Sequence, residues 1–174
     1  AALGSVPRSI KDPATTIEVN VYGFTNILHS AVENGVKRFV FASSSSVYGD
    51  EKTLPKVEEK TGKALSPYAI SKQSNETIAL NFSALYGIEV IGLRYFNVFG
   101  RRQDPDGAYA AVIPKFIGSL LAHKSPHING DGSYSRDFTY IDNVVSANCL
   151  ALEAGSDACQ KMYNVSCGSE LDLN

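Results

Sequence analysis

The hydrophobic positions of the first forty-odd residues follow two different patterns. Across Pro13–Asn34 apolar residues recur at intervals of three and four, which predicts one amphipathic helix that the following glycine ends. The next segment, Arg38–Ala42, is a short apolar run that opens into Ser43–Ser46, as a buried parallel strand opens into a loop. A helix followed by such a strand is typical of α/β proteins.

The rest of the chain repeats this alternation. Ser66-Pro67 supplies an N-cap and a first-turn proline for a helix that runs to Tyr86, and Glu89–Phe96 is the next strand. The further predicted elements are a polar loop at Asn97–Gly107, a helix near Ile113–Ala122, strands at His127–Asn129 and Arg136–Tyr140, a helix at Asp142–Ala154 and a strand at Met162–Ser166. The pattern therefore predicts an α/β fold.

Composition narrows the class of protein. The chain has 174 residues, of which 44% are hydrophobic and 20% charged, and a formal net charge of −2. These values suit one compact domain and exclude a disordered, collagen-like or coiled-coil chain. Because Lys and Arg are scattered, we expect no nucleic acid partner. Because no long apolar run or signal-like start is present, we expect no membrane partner and a cytoplasmic location.

Cysteines and chain ends give two further expectations. Cys149, Cys159 and Cys167 lack the spacing of metal ligands, so we expect ordinary thiols and no metal site. The first residues include no methionine, and the last ones, Leu171–Asn174, look like the start of a helix cap. We therefore expect the chain to be a piece of a longer protein.

Tyr68 and Lys72 are the first candidates for chemistry. Their i, i+4 spacing places a phenol and an ammonium on one face of a helix start. An exposed surface pair is the competing interpretation, because the spacing alone has little specificity. Parallel α/β sheets, however, bind ligands at the carboxyl ends of strands, and a cation near a phenol favours the phenolate, which can act as a general base.

Three longer motifs occur in a fixed order: Ala42–Asp50 with its four serines, Ser66–Lys72, and Leu93–Gly100. Together they resemble the extended short-chain dehydrogenase/reductases, the NAD-dependent epimerase/dehydratase family. Within that family Ala1–Ser9, Gly100–Pro105 and Ile128–Gly132 are most similar to bacterial UDP-N-acetylglucosamine 4-epimerases.

The resemblance implies a Rossmann-like, doubly wound parallel sheet, here incomplete, with part of a smaller C-terminal substrate domain. Residues 1–96 would form the C-terminal part of the NAD-binding domain. Residues 97–174 would form a mixed region that holds UDP-sugar-binding elements and a strand returning to the sheet. The family's glycine-rich pyrophosphate turn and its closing gate for the sugar's C2 substituent do not occur in these 174 residues. The resemblance also implies NAD as cofactor and a homodimer at full length.

The resemblance further assigns roles to single residues. Tyr68 would be the catalytic base, Lys72 its pKa partner and a ribose contact, and Ser44 a hydrogen-bond partner of the sugar's 4-hydroxyl. The implied cofactor contacts are Ala1, Ala2, Asn20, Tyr68, Lys72 and Tyr95. The implied substrate contacts are Gly4, Ser5, Ser45, Ser46, Asn97, Gln103, Ala111, Val112, His127 and Arg136. A helix-surface amide for Asn20 and a surface ion pair for Arg136 remain alternatives.

The implied reaction is C4 epimerisation of UDP-N-acetylhexosamines, or of their uronates, through a transient 4-keto sugar. A UDP-glucose or UDP-glucuronate 4-epimerase remains an alternative. A nucleotide-sugar dehydratase is disfavoured, because those enzymes carry Thr-Asp-Glu where this chain has Ser44–Ser46. A catalytically silent dinucleotide-binding protein is disfavoured by the presence of Ser44, Tyr68 and Lys72.

Overall fold

The computed structural model describes residues 2–104, 112–128 and 130–172. The helices are α1 (Val6–Lys11), α2 (Pro13–Ile17), α3 (Gly23–Glu33), α4 (Pro67–Tyr86), α5 (Val112–Leu121) and α6 (Ile141–Glu153). The strands are β1 (Arg38–Ser44), β2 (Glu89–Tyr95), β3 (Val98–Phe99), β4 (Thr139–Tyr140) and β5 (Lys161–Val165).

The main sheet is parallel, with the strand order β1-β2-β5. Its central strand, β2, is buried over Val90–Arg94, as expected for a strand covered on both faces. Helices α3 and α4 cover one face around a cluster that includes Leu28, Phe41 and Val90. Helix α6 covers the other face around Ile91 and Leu93. The predicted Rossmann-like doubly wound α/β fold is therefore confirmed, including the strand that returns to the sheet near Met162.

Helix α4 begins and ends where the sequence predicts. The Ser66 hydroxyl accepts a hydrogen bond from the Ala69 N–H at 3.1 Å, and Pro67 occupies the first turn. At the other end Gly87 adopts a left-handed conformation with φ of +73°, which closes the helix. These two caps fix where the first turn of α4, with Tyr68 and Lys72, lies against the sheet.

The single regular helix predicted for Pro13–Asn34 is interrupted at one place. Between α2 and α3 the chain forms a π-helical turn at Glu18–Tyr22, in which the Gly23 N–H donates to the Glu18 carbonyl five residues back. A further helix, α1, precedes this segment and begins at Val6. Its N-cap is Ser5, whose hydroxyl accepts from the Arg8 N–H at 3.3 Å.

The region after β2 departs most from the predicted elements. The strand predicted at His127–Asn129 is wrong for His127 and Ile128, which are exposed and have no strand partner among the described residues, while Asn129 lies outside them. Of the strand predicted at Arg136–Tyr140, only β4 forms, pairing in parallel with β3. Arg136 pairs instead with Leu171 in an antiparallel bridge. The division of the chain at residues 96 and 97 stays a prediction.

Candidate active site

Tyr68 and Lys72 lie in the first turns of α4, facing the end of β1. The Lys72 ammonium donates to the Ala42 carbonyl at 2.8 Å and lies 5.9 Å from the centroid of the Tyr68 ring. Lys72 is only 5% exposed. Because burial penalises the charged form, the pKa of Lys72 is lowered from its ordinary value. The helix start therefore brings a desolvated amine next to a phenol.

The serine run turns a corner at the end of β1. Ser44 ends the strand, and Ser45–Tyr48 forms a 3-10 turn that the Ser44 hydroxyl caps by accepting from the Ser46 N–H at 3.2 Å. The Ser46 hydroxyl oxygen is buried and has no hydrogen-bond partner among the described residues. A buried hydroxyl without a partner is a position at which a ligand can supply the missing hydrogen bond.

Asn20 lies inside the π-helical turn, and its carboxamide is already engaged. Its Oδ1 accepts from the Leu3 N–H at 2.7 Å, and its Nδ2 donates to the Leu3 carbonyl at 3.0 Å and to the Ser71 hydroxyl at 3.1 Å. Asn20 is 1% exposed. The side chain thus ties the N-terminal segment to α4 beside Tyr68, whose carbonyl accepts from the Ser71 hydroxyl at 2.7 Å.

A cavity of about 590 Å³ opens at the carboxyl ends of the three parallel strands. Its walls include residues that directly follow β1, β2 and β5, together with the start of α4. Four of the predicted substrate contacts line it: Ser45, Ser46, Asn97 and Arg136. Ser66 and Ala69, which flank Tyr68 in the sequence, line it as well. A ligand site at this edge is what a parallel α/β sheet provides.

One wall of the cavity consists of polar residues that hydrogen-bond to one another, among them Asn97 and Asp137. Asn97 adopts a positive φ of 34°, and its amide donates to the Asp137 carbonyl at 2.8 Å. The Asp137 carboxylate accepts from the N–H groups of Cys167 and Gly168 at 3.0 and 2.7 Å. Arg136, next in the chain, is exposed and donates to the Ser135 carbonyl at 2.7 Å. This wall therefore carries a cation at the cavity mouth.

Several predicted site residues lie elsewhere. Tyr95 packs on the α6 side of the sheet, where its hydroxyl is 2.9 and 3.1 Å from the Asn148 side chain, and burial raises its pKa although Asn148 opposes that shift. Gln103 donates weakly to the Val98 carbonyl, at 3.5 Å, and its Oε1 is buried without a partner among the described residues. The cavity lining does not include these residues or Ala2, Gly4, Ser5, Ser44, Tyr68, Lys72, Val112 and His127. Ala1 and Ala111 lie outside the described residues.

Sequence reasoning missed part of the cavity wall. Tyr48, Lys56, Asp137 and Glu170 line it. Two of these residues could have been found from the sequence, since Tyr48 lies inside the motif Ala42–Asp50 and Asp137 directly follows Arg136. Lys56 and Glu170 come from segments without a recognisable pattern, and only the folded loops bring them to the cavity.

Within residues 2–104, 112–128 and 130–172 no group of three or more His, Cys, Asp and Glu side chains is placed to hold a metal ion. None of the helices in these ranges has both the length and the apolar content needed to cross a bilayer.

A doubly wound parallel sheet with a cavity at its strand ends defines a nucleotide-binding type of α/β protein. The model of the NAD dependent epimerase/dehydratase family matches residues 1–166, and the chain belongs to that family.

The relatives show how far the likeness extends. A putative UDP-glucose 4-epimerase of Methanocaldococcus jannaschii is 40% identical over the whole chain, which covers 56% of that protein. A UDP-N-acetylglucosamine 4-epimerase from Methanobrevibacter ruminantium M1, solved with UDP-N-acetylmuramic acid, has a TM-score of 0.95 and 40% identity, over 99% of this chain and 55% of that one. A Thermotoga maritima UDP-glucose 4-epimerase, solved with UDP-glucose, has a TM-score of 0.93 and 38% identity, over the same shares. The chain thus spans about half the length of these relatives.

Proposed function

We propose that this chain forms the catalytic and substrate-binding part of an NAD-dependent 4-epimerase acting on UDP-N-acetylhexosamines or their uronates. The observation that carries the proposal is the placement of Tyr68 and Lys72 at the start of α4, beside the cavity at the strand ends. Family membership supports nucleotide-sugar chemistry, and the site supplies a candidate proton acceptor for it.

The residues at the start of α4 fit a dinucleotide. Lys72 offers a desolvated ammonium and Tyr68 a phenol, which are donors suited to ribose hydroxyls. Ala2 and Tyr95 are the further proposed contacts, and Asn20 supports the cofactor side by holding the backbone of Leu3. Bound NAD would supply the hydride acceptor and donor for C4 of the sugar.

Three residues of this chain would transfer or orient the proton of the sugar's 4-hydroxyl. Tyr68 removes the proton of the sugar's 4-hydroxyl and later returns it. Lys72, held by the Ala42 carbonyl, favours the phenolate form of Tyr68 by its charge. Ser44, at the end of β1, would hydrogen-bond the same hydroxyl and orient it. The reaction has no net redox change, because the sugar gives up and regains the same atoms at C4.

The cavity supplies four of the proposed substrate contacts, and the others lie outside its lining. Arg136 and Asn97 are proposed to hold the diphosphate, since a guanidinium binds phosphate oxygens through two donors. Ser45 and Ser46 would contact the sugar, where the unpartnered Ser46 hydroxyl is available. Gly4, Ser5 and Gln103 would surround the N-acetyl group, with the buried Gln103 Oε1 open to a donor. Val112 and His127 would contact uracil.

The substrate assignment is tested with the protein expressed at its full natural length. A polar pocket built for an N-acetyl group leaves buried groups unpaired when the group is missing, at about 1–3 kcal/mol each. We expect kcat/KM for UDP-N-acetylglucosamine and UDP-N-acetylgalactosamine, or for their uronates, to exceed that for UDP-glucose and UDP-galactose about tenfold to a hundredfold. Equal values, or a preference for UDP-glucose, would reject the N-acetyl assignment.

A UDP-glucose 4-epimerase is the second candidate, because two of the relatives carry that name. The same kinetic comparison separates the two, since both reactions use the same proton chemistry. The homodimer and the cytoplasmic location stay predictions.

A further inference from the structure

Arg94 lies at the centre of a buried polar network behind the cavity. Its Nε and Nη2 donate to the two carboxylate oxygens of Glu76, each at 2.9 Å. Arg94 is 4% exposed and Glu76 8%. Glu76 also accepts from the Ser43 hydroxyl at 2.5 Å. One guanidinium on β2 is therefore joined through two parallel hydrogen bonds to α4, the helix that carries Tyr68.

The remaining donor of Arg94 points toward the cavity walls. Its Nη1 donates to the Tyr48 hydroxyl at 3.1 Å and to the Glu58 carbonyl at 3.0 Å, and its guanidinium carbon lies 5.1 Å from the centroid of the Tyr48 ring. Tyr48 ends the 3-10 turn Ser45–Tyr48 and lines the cavity. Arg94 itself is not among the lining residues.

Asn164 of β5 completes the network. Its Oδ1 accepts from the Tyr48 hydroxyl at 2.6 Å. Its backbone N–H donates to the Glu58 carboxylate at 2.8 Å, and its side-chain amide donates to the Lys56 carbonyl at 3.0 Å. Lys56 also lines the cavity. Arg94 of β2 and Asn164 of β5 therefore both hydrogen-bond to segment 56–58. The same two residues hydrogen-bond to the Tyr48 hydroxyl of the turn Ser45–Tyr48.

The free-energy cost of burying the Arg94–Glu76 ion pair indicates that the network serves geometry more than stability. Burial by itself lowers the pKa of Arg94, but the hydrogen bonds and charge of Glu76 outweigh it, and the pKa lies above its ordinary value. Arg94 therefore keeps its charge, and a buried ion pair adds little or no net stability compared with apolar residues of the same size. A defined geometry is what it does supply, since the planar guanidinium has donors on three sides.

We propose that Arg94 is a positioning residue that fixes two walls of the substrate cavity, the turn Ser45–Tyr48 and the segment 56–58, against the helix carrying Tyr68 and Lys72. The identity of the ligand in this cavity rests on the proposed function. The positioning of the two cavity walls depends only on the hydrogen-bond network around Arg94.

The first test is hydrogen exchange of backbone amides, with the protein at its full natural length and no ligand added. Arg94→Lys keeps the charge but loses the three-sided fork. We expect exchange of the amides of residues 45–63 to become about tenfold faster, with exchange across α3 unchanged, because local opening is governed by local contacts. A uniform increase over all segments, or no change at residues 45–63, would overturn the proposal.

The second test uses a variant with little risk of misfolding. Tyr48→Phe removes only the hydroxyl that joins Arg94 to Asn164, whereas Tyr163→Phe on β5 removes a hydroxyl bonded to the Ala158 carbonyl, outside the network. We expect Tyr48→Phe to raise KM for the nucleotide sugar about two- to tenfold and to speed exchange at residues 45–63, with neither effect in Tyr163→Phe. Unchanged exchange in Tyr48→Phe, or the same change in both variants, would reject the positioning role. Absence of epimerase activity from the parent protein would reject the proposed function alone, because the exchange readout needs no turnover.

Discussion

Lys72 shows how a single side chain acquires its properties from where a helix begins. The Ser66 cap and Pro67 fix the first turn of α4, so that the lysine four residues after Tyr68 reaches the carboxyl end of β1. There it is buried and hydrogen-bonded to the Ala42 carbonyl. The same lysine on an exposed helix face would keep its ordinary pKa and lie far from any strand end.

Replacing the Tyr68 hydroxyl is the most direct test of the proposed base. In the full-length protein we expect Tyr68→Phe to slow epimerisation by about 10² or more, the usual share of a positioned general base, with UDP-sugar binding nearly intact. Tyr86→Phe, at the exposed end of the same helix, serves as the matched control. Turnover of Tyr68→Phe comparable to that of the parent would end the assignment.

The buried charge of Lys72 predicts a dependence of stability on pH. Since the folded pKa is lowered, the unfolded chain binds more protons than the folded protein between that lowered pKa and the ordinary value of about 10.4. In this window the lysine's contribution to the free energy of unfolding rises with pH. We therefore expect the stability of the parent relative to Lys72→Met to increase from pH 7 to pH 10.

Chemical denaturation of both proteins at matched pH values measures this difference. Lys124→Met, at an exposed lysine, gives the baseline. A difference between parent and Lys72→Met that stays flat, or that shrinks as the pH rises, would contradict a desolvated ammonium at this position.

Some residues of the candidate site were predictable from the sequence, and others were not. The pair Tyr68 and Lys72 was predictable because it belongs to a motif at a helix start. The turn Ser45–Tyr48 was predictable because its serines follow the end of a strand. Glu76 lies on α4 and Arg94 on β2, and no local pattern indicates that the two side chains pair. A pair between a helix and a strand becomes visible only once the packing of that helix on the sheet is known.

At the scale of elements, Gly92 sets how closely the strands and their side chains pack. In the sheet register it lies between Phe41 of β1 and Met162 of β5. A Cβ placed on Gly92 would lie 2.8 Å from the Phe41 ring and would overlap the Met162 sulfur. The centre of the sheet therefore has no room for even one methyl group.

We expect Gly92→Ala to lower the free energy of unfolding by about 1–3 kcal/mol, the usual cost of overpacking a core. Because the overlap is with a side chain, Met162→Ala in the same molecule should relieve part of that cost. A double-mutant cycle on unfolding free energies checks this. Strictly additive effects of the two substitutions would show that the methyl group is accommodated in another way.

Helix bounds were predicted best where the sequence carries a cap at each end. Helix α4 has a capping serine and a closing glycine, and its bounds were predicted although most of its buried residues are polar. Ile128 is the single apolar residue between His127 and Asn129, so the strand predicted there had no apolar face to bury. The extra residue in the turn Glu18–Tyr22 leaves the spacing of apolar residues nearly unchanged, which is why one regular helix was predicted.

At the scale of the whole molecule, the sheet is defined by contacts between distant parts of the chain. Paired residues of β1 and β2 are 51 positions apart, and those of β2 and β5 are 70 positions apart. The alternation of helix and strand predicted the parallel sense of this pairing. Among the described strands β1 pairs with β2 alone, so its outer edge carries unpaired backbone groups.

This open edge and the length of the relatives lead to a prediction for the 174-residue chain expressed by itself. These residues contain no glycine-rich pyrophosphate turn, and they cover about half of each compared relative. We expect no measurable epimerase activity and a tendency to associate through the open strand edge. Activity and size-exclusion measurements on residues 1–174 check both points, and a soluble, active preparation would refute them.

Because of the π-helical turn at Glu18–Tyr22, the number of residues in this segment determines the directions in which Asn20 and Leu28 point. Each residue of an α-helix turns the chain by about 100°. Deleting one residue here would restore regular hydrogen bonding, but it would rotate Asn20 away from Leu3 or Leu28 away from the core. An alignment gap inside the segment would thus mark a protein whose N-terminal segment at Leu3 is anchored differently, even if every surrounding residue were identical.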